Sequence, residues 1–209
     1  VIPGCIYQQR MAPDGSFSIP YASAGMKQIL GVSPAEVKAD FSVLSALAHP
    51  DDKQALFEGF RQSAANMTPR SGEYRIRTPD GVEKWVSGHS VPERQADGSV
   101  IWHGFLTDIS ERKRTDAQVY ALAFRDTLTA LPNRAALLRG LDDALAEAAH
   151  TGRRGAVLFI DLDQFKVLND TKGHHFGDRL LVDVAQRLTP LVGSGDLVAR
   201  LGGDEFRSE

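Results

Sequence analysis

The pattern of hydrophobic residues changes near residue 110, and this change constrains the fold more than any other feature. Before it, three Asp-Gly pairs interrupt strand-like sequence, at Asp14-Gly15, Asp80-Gly81 and Asp97-Gly98. Such pairs supply the positive φ angles that tight hairpins require. After it, amphipathic helical stretches alternate with short apolar runs. A chain of 209 residues with two such patterns favours two small domains.

The first half has the element order of an α+β module. Tyr74, Ile76 and Thr78 alternate with charged residues, which predicts a half-buried strand. Residues 33–36 (Ser-Pro-Ala-Glu) predict a capped helix start, and the acidic residues that follow His49-Pro50 predict another. Two strands, several short helices and three further strands indicate a five-stranded antiparallel sheet with helices on one side.

A polar helix is predicted from about Ser110 to Phe124, with too few apolar positions to establish a coiled coil. Residues 133–149 predict an amphipathic helix with Leu138, Leu141 and Leu145 on its buried stripe. The apolar run 156–160 predicts a central buried strand.

Another helix is predicted from near Phe176 to Pro190, followed by a strand over 197–201 and a turn at Gly202-Gly203.

Composition excludes several classes of function. A net charge of −3 gives no basic field for nucleic acid, and no apolar run approaches the roughly 20 residues of a membrane helix. A single cysteine fits a reducing compartment, so we expect a cytoplasmic location, with room for a membrane anchor ahead of Val1. No His/Cys spacing indicates zinc.

Carboxylates stand where two strands of the second half end. Asp161 and Asp163 follow the apolar run, and Asp204 and Glu205 follow two glycines. If the two strands are neighbours, Asp161 and Asp204 can meet and bind magnesium beside substrate phosphates. Taken singly, each feature is more often a solvated strand end or an ordinary hairpin turn.

Three ordered motifs of the second half resemble those of the GGDEF domain of diguanylate cyclases. They are Asp126 to Arg134 (DTLTALPNR), Phe159 to Asp178, which begins FIDLDQFK, and Arg200 to Phe206 (RLGGDEF). The resemblance implies a fold of the nucleotidyl-cyclase and polymerase-palm type, and condensation of two GTP into cyclic di-GMP by a homodimer.

The resemblance also implies roles for individual residues. Metal ions, Mg²⁺ or Mn²⁺, are expected on Asp161, Asp204 and the carbonyl of Leu162. Asp204 and Glu205 are the expected catalytic residues, with Glu205 as a candidate general base. The expected substrate-binding residues are Gln164, Phe165, Lys166, Asn169, Asp178, Gly202 and Gly203. Of these, Asn169 and Asp178 are expected to read the guanine edge, although helix capping is the plainer alternative.

Residues 1–113 resemble a PAS domain, through loose motifs that include Gly31-Val32-Ser33-Pro34 and Asp108-Ile109-Ser110. The signal or ligand of this domain stays unidentified. Cys5 is expected to be a small buried hydrophobe. His89 and His103 are expected to be structural rather than haem ligands, and Trp85, Trp102 and Phe105 are expected to lie in the core.

The predicted organisation is a PAS sensor over residues 1–109, a signalling helix over 110–124, and the N-terminal part of a GGDEF domain over 125–209. The family's last strands are absent before Glu209, so we expect the 209-residue chain to be inactive by itself. The leading hypothesis is a PAS-regulated diguanylate cyclase that dimerises through the PAS domain and the helix. The alternatives are a GTP-binding regulatory domain ahead of a cyclic di-GMP phosphodiesterase, or a sensor that only binds.

Overall fold

A computed structural model describes residues 4–193, 195–203 and the backbone of residues 205–208. Two compact units make up the chain, and they divide between Arg114 and Thr115. Within the described residues, no helix combines the length and the apolar character that crossing a membrane requires.

The first unit contains the predicted five-stranded antiparallel sheet. Its strands are β1 (Gly4–Met11), β2 (Phe17–Ala22), β3 (Arg70–Arg77), β4 (Glu83–Arg94) and β5 (Val100–Asp108). They lie in the order β2-β1-β5-β4-β3. Four helices separate β2 from β3: α1 (Gly25–Leu30), α2 (Pro34–Ala39), α3 (Phe41–Leu47) and α4 (Pro50–Asn66). The α+β expectation for this half is therefore confirmed.

Local sequence signals account for the turns and helix starts of this unit. The glycines of all three Asp-Gly pairs have positive φ angles, between 83° and 86°. The predicted capping box is present at the start of α2, where the Ser33 hydroxyl accepts from the Glu36 N–H and the Glu36 carboxylate accepts from the Ser33 N–H.

The core of the first unit lies between the sheet and the helices. Trp102 is fully buried, and its indole N–H donates to the Ser63 hydroxyl at 2.9 Å. Cys5 is also fully buried, which confirms the expectation for it. Phe105 is 44% exposed, so the expectation of a core position was wrong for this residue. It lies on the opposite face of β5 from Trp102, since side chains alternate along a strand.

The predicted helix from about Ser110 to Phe124 is present as α5 (Ser110–Phe124). Its first turn is anchored to the sheet, because the Trp85 N–H donates to the Ser110 hydroxyl at 3.0 Å and Glu73 forms ion pairs with Arg112 and Lys113. The Lys113 ammonium also lies 4.9 Å from the Trp85 ring centroid.

The second unit combines helices with a three-stranded sheet. Its elements after α5 are α6 (Arg134–Thr151), β6 (Leu158–Ile160), α7 (Phe165–Lys172), α8 (His174–Leu188), a 3₁₀ helix (Thr189–Leu191), β7 (Val198–Gly202) and β8 (Glu205–Ser208). The strands are antiparallel, in the order β6-β8-β7. Buried residues of α8 and β7 form the core of this unit: Leu181, Ala185 and Val198, together with Leu131.

Two predictions for the second unit were wrong in detail. The run 156–160 contributes a strand of only three residues at the edge of the described sheet, and Phe159 is 65% exposed. An apolar strand is buried only if neighbouring strands lie on both sides of it and other elements cover both of its faces. Among the described strands, β6 pairs with β8 alone. On α6 the buried residue is Leu137, while Leu138 and Leu145 are exposed.

Candidate active site

The first group of predicted site residues lies in the loop after β6. Leu162 and Phe165 pack against the core of the second unit. These two anchors leave Asp161, Gln164 and Lys166 exposed to solvent. The side chain of Phe165 is therefore a core contact, and any contact of this residue with a phosphate would come from its main chain.

The start of α7 has an uncommon backbone conformation. Gln164 precedes the helix with a φ of 60° and a ψ of 20°, in the left-handed region that non-glycine residues seldom adopt. Such conformations cluster at functional sites. The first N–H groups of a helix lack intrahelical partners and favour anions, so the N-terminus of α7 beside Lys166 suits phosphate oxygens.

The second group lies in the turn that joins β7 to β8. Gly202 has a φ of 135° and Gly203 a φ of 57°, values that favour glycine at both positions. A Cβ placed on either glycine would meet nothing within 4 Å, so this face of the turn is open. Asp204 and the side chain of Glu205 lie outside the described residues.

The strand register brings these two groups to the same end of the sheet. Ile160 pairs with Phe206, and Gly202 pairs with Glu205 across the turn. Continuing the first register by one residue puts Asp161 opposite Glu205. The strands β6 and β7 are not direct neighbours, because β8 lies between them. Asp161 therefore lies near the glycine turn because β6 pairs with β8, and not because β6 is a neighbour of β7.

A buried arginine holds the glycine turn. Arg200 on β7 is 9% exposed, and its guanidinium donates to the Gly203 carbonyl from Nε at 3.2 Å and from Nη2 at 2.6 Å. Its Nη1 donates to the Asp126 carboxylate at 2.9 Å. The Arg200 side chain thus connects Asp126, the first residue of the DTLTALPNR motif, to Gly203, which lies 77 residues later.

The Asp126 carboxylate is fixed by several donors. Burial raises its pKa, but hydrogen bonds from the Thr129 N–H and hydroxyl and from Arg200 outweigh burial, so its pKa lies below the usual 3.8. Asn133 of the same motif caps α6 by accepting from the N–H groups of Ala135 and Ala136. This motif therefore organises the turn and the helix start without contributing exposed acids.

The predicted base-reading residues lie on α7 and α8. Asn169 is half-buried on α7, and its Oδ1 atom is buried with no hydrogen-bond partner among the described residues. Asp178 is exposed in the first turns of α8. Neither residue forms a helix cap: the N-cap residue of α8 is Gly173, and no side chain caps that end.

The residues expected to hold a divalent cation are hard oxygen donors, namely two carboxylates and a main-chain carbonyl, which suits Mg²⁺ or Mn²⁺. Asp161 and the Leu162 carbonyl lie at the strand end beside the turn. No group of three His, Cys, Asp or Glu side chains forms within the described ranges, which do not include Asp204.

In the first unit, a cavity of about 60 Å³ lies between the sheet and the helices. Aromatic and aliphatic side chains dominate its lining, which also includes buried Gln9, whose Nε2 has no partner in the described part of the chain. Pockets for drug-sized ligands measure roughly 300–1,000 Å³, so this cavity holds at most a very small molecule. His89 and His103 are exposed and do not line it.

Comparison with protein families matches both halves of the chain. Residues 19–106 match the PAS fold, and residues 123–207 match the GGDEF domain of diguanylate cyclases. The chain contains a PAS domain followed by a GGDEF domain. Arg200, whose guanidinium holds the Gly203 carbonyl, and the open glycine turn therefore belong to the GGDEF signature. Most of α5 lies before the segment that matches the GGDEF domain.

Similar proteins include both characterised and uncharacterised ones. Protein y4lL of Sinorhizobium fredii is 36% identical over 166 residues, which cover 76% of this chain and 20% of that protein. MucR of Pseudomonas aeruginosa, a bifunctional diguanylate cyclase/cyclic di-GMP phosphodiesterase, is 50% identical over 93 residues, covering 44% and 14%. Diguanylate cyclase DgcP of Escherichia coli is 40% identical over 98 residues, covering 47% and 29%. The chain spans less than a third of the length of each.

Sequence reasoning missed three residues that shape this site. Arg200 and Asp126 belonged to recognised motifs, but nothing in the sequence paired them across 74 positions. Gly177 carries a signal of its own, since a glycine within an amphipathic helix lowers helix stability and so indicates a packing requirement.

Proposed function

We propose that this protein is a PAS-regulated diguanylate cyclase. The observation that carries the proposal is the turn at Gly203, which is open to a ligand, held by Arg200, and placed by strand register beside the end of β6 where Asp161 lies. A turn that only reversed the chain would need neither the buried guanidinium nor the intact GGDEF sequence. The similarity of this chain to DgcP over 98 residues supports the same activity.

The reaction consists of two nucleotidyl transfers. In each, the 3′-oxygen of one GTP bonds to the α-phosphorus of the other, pyrophosphate leaves, and the hydroxyl loses its proton. Asp161, the Leu162 carbonyl and Asp204 would hold Mg²⁺ or Mn²⁺, and a bound ion would supply a lower pKa for the attacking hydroxyl and stabilisation of charge on the phosphate. Glu205 is our candidate for the group that accepts the proton.

The remaining residues bind and orient GTP. Lys166 and the N-terminal N–H groups of α7, together with Gln164 and Phe165 through their main chain, contact the phosphates. The glycines of the turn let the nucleotide approach the backbone. Asn169 and Asp178 read the base, because guanine presents N–H groups where adenine presents an acceptor. The reaction uses GTP, so we place this domain in the cytoplasm.

Condensation requires two GTP molecules that face each other, which we assign to a homodimer with one GTP on each protomer. The second half of α5 supports this proposal, because Val119 and Leu122, three residues apart, are 60% and 74% exposed. The PAS domain contributes the rest of the contact, since an isolated helix of this length is marginally stable.

A second candidate function is supported by the similarity to MucR, which is named as both a cyclase and a phosphodiesterase. In that case the GGDEF domain would bind GTP and regulate a phosphodiesterase domain elsewhere in the protein. Hydrolysis of cyclic di-GMP that rises with GTP, without any GTP condensation, would favour this function over the first.

The test of the first candidate is the variant Asp204→Ala in the full-length protein. We expect GTP condensation, measured as cyclic di-GMP formed, to be lost while the thermal unfolding midpoint stays unchanged. The matched control is Asp183→Ala, which removes an exposed carboxylate on α8 and should retain wild-type turnover. Normal turnover by Asp204→Ala would refute the proposed site.

A further inference from the structure

The side-chain oxygen of Asn169 is buried without a hydrogen-bond partner among the described residues. Leaving a buried acceptor unsatisfied is unfavourable, and native structures hold few such atoms. The main chain of Asn169 cannot move to relieve this, because the residue lies within α7 and its carbonyl accepts from the Gly173 N–H at 2.8 Å. The oxygen is enclosed between α7 and α8, so the position of the amide depends on the space that α8 leaves for it.

The space around this amide depends on one glycine. Gly177 is buried in the first turns of α8, where it faces α7. A Cβ on Gly177 would lie 1.9 Å from Asn169 Oδ1 and 2.9 Å from its Cγ, distances that real Cβ atoms do not reach. It would also lie 3.1 Å from Cζ of Phe165, a ring that packs against the core.

This glycine is unfavourable for the helix that contains it. In a helix interior glycine is less favourable than alanine, because it loses more backbone freedom on folding. The φ of Gly177 is not in the left-handed region, so no backbone conformation requires glycine there. Among the described residues, the Asn169 amide and then the Phe165 ring occupy the space that a side chain at 177 would need.

We propose that Gly177 is a positioning residue for base recognition, which rests on the proposed function. By lacking a side chain, it lets the Asn169 amide lie against α8, and this position sets how Asn169 meets the guanine of GTP. Any larger residue at 177 turns the amide away or separates α7 from α8. Asp178, the next residue, then reads the base without the second contact. Gly177 thus affects specificity without contacting the nucleotide.

The test measures binding of a GTP analogue that carries a methylene group between its α- and β-phosphorus atoms, so that no pyrophosphate can leave. The full-length protein and the variants Gly177→Ala, Asn169→Ala and Gly177→Ala/Asn169→Ala are titrated with it. We expect each single variant to bind about tenfold more weakly, which corresponds to about 1.4 kcal/mol. The double variant should bind no more weakly than Asn169→Ala.

This non-additivity separates positioning from a general loss of structure. In kinetics, Gly177→Ala should raise the KM for GTP with little change in kcat, because the lost contact is made equally in the ground state and the transition state. The unfolding midpoint of the double variant should not fall below that of Asn169→Ala, since alanine at 177 favours the helix once the clash is removed.

Each other outcome overturns a defined part of the argument. Wild-type affinity in Gly177→Ala, or an equal further loss when it is added to Asn169→Ala, overturns the inference alone. If Gly177→Ala does not fold, a folded double variant supports the clash with Asn169, and an unfolded one overturns it. Failure of the wild-type protein to bind the GTP analogue more tightly than the matching ATP analogue overturns the proposed function as well.

Discussion

The turn at Gly15 in the PAS unit and the turn at Gly203 in the GGDEF unit are held in different ways. In the first, the carboxylate of Asp14 accepts from the N–H and hydroxyl of Ser16. These bonds span two residues. The GGDEF turn is instead held through Arg200, which connects the Gly203 carbonyl to Asp126. The turn to which we assign a catalytic residue thus depends on a distant part of the chain.

The difference has a physical reason. A local Asx turn needs only its own four residues and forms whenever the strands beside it form. Such a turn tolerates small displacements. A turn that carries a metal ligand must be placed to within a fraction of an ångström, so buried contacts from elsewhere have to fix it. The comparison predicts that disturbing the GGDEF turn lowers both stability and GTP turnover, whereas a substitution in a PAS turn lowers stability alone.

The largest effect is expected from Arg200→Ala. It removes both bonds to the Gly203 carbonyl and leaves the Asp126 carboxylate without its guanidinium. We expect the free energy of unfolding of the GGDEF unit to fall by about 3 kcal/mol, the lower end for a broken buried pair. We also expect GTP condensation to fall by about 100-fold, because the turn is displaced. Urea unfolding and product formation measure the two changes.

The control is Arg187→Ala, which removes an exposed arginine on α8 and should alter neither quantity. Equal turnover by Arg200→Ala and wild type would show that the clamp is not needed for the turn.

Asp126→Asn should have a smaller effect that depends on pH. The pKa of Asp126 is lowered in the folded protein, so its carboxylate stabilises the fold above the usual 3.8 and loses this effect as pH falls through the lowered value. We expect the variant to be about 2 kcal/mol less stable than wild type at pH 7, with the difference shrinking below about pH 4. Urea unfolding at several pH values tests this. A difference that grows on acidification would contradict the assignment.

Gly15→Ala tests the local type of turn. Its φ of 84° is unfavourable for a side chain, although a Cβ would meet nothing within 4 Å. We expect a loss of about 1 kcal/mol in the stability of the PAS unit, from the strained backbone. The KM for GTP should stay the same. A loss of several kilocalories would show that this turn too depends on distant contacts.

The smallest effect is expected at Asp196, which lies shortly before the GGDEF signature. The resemblance to GGDEF domains implies an Arg-x-x-Asp motif at this position, which binds the product and inhibits the enzyme. In this chain Gly193 stands where that motif has its arginine. The Asp196 carboxylate accepts from the Gly193 N–H at 2.9 Å, as a local turn does. We expect Asp196→Ala to leave the affinity for cyclic di-GMP unchanged in isothermal titration. Sub-micromolar binding that this substitution abolishes would contradict the prediction.

The same contrast explains what the sequence could predict. The three Asp-Gly turns, the capping box of α2 and the helix α5 were predictable because their determinants lie within a few residues. The place of β6 at the described sheet edge and the burial of Leu137 instead of Leu138 were not, because each depends on which elements pack together. For the site, motifs indicated Asp161 and Asn169, but the Arg200–Asp126 pair required the fold.

Both tryptophans of the chain, Trp85 and Trp102, lie in the PAS unit. Tryptophan fluorescence of the 209-residue chain therefore reports on that unit alone. Trp102 is enclosed in the core and should emit at short wavelength until the unit opens, whereas the cations of Arg75 and Lys113 lie over the ring of Trp85. Following indole emission together with helix content by circular dichroism would resolve two melting events in one sample. The two melting events would show which unit a substitution destabilises, without any labelling.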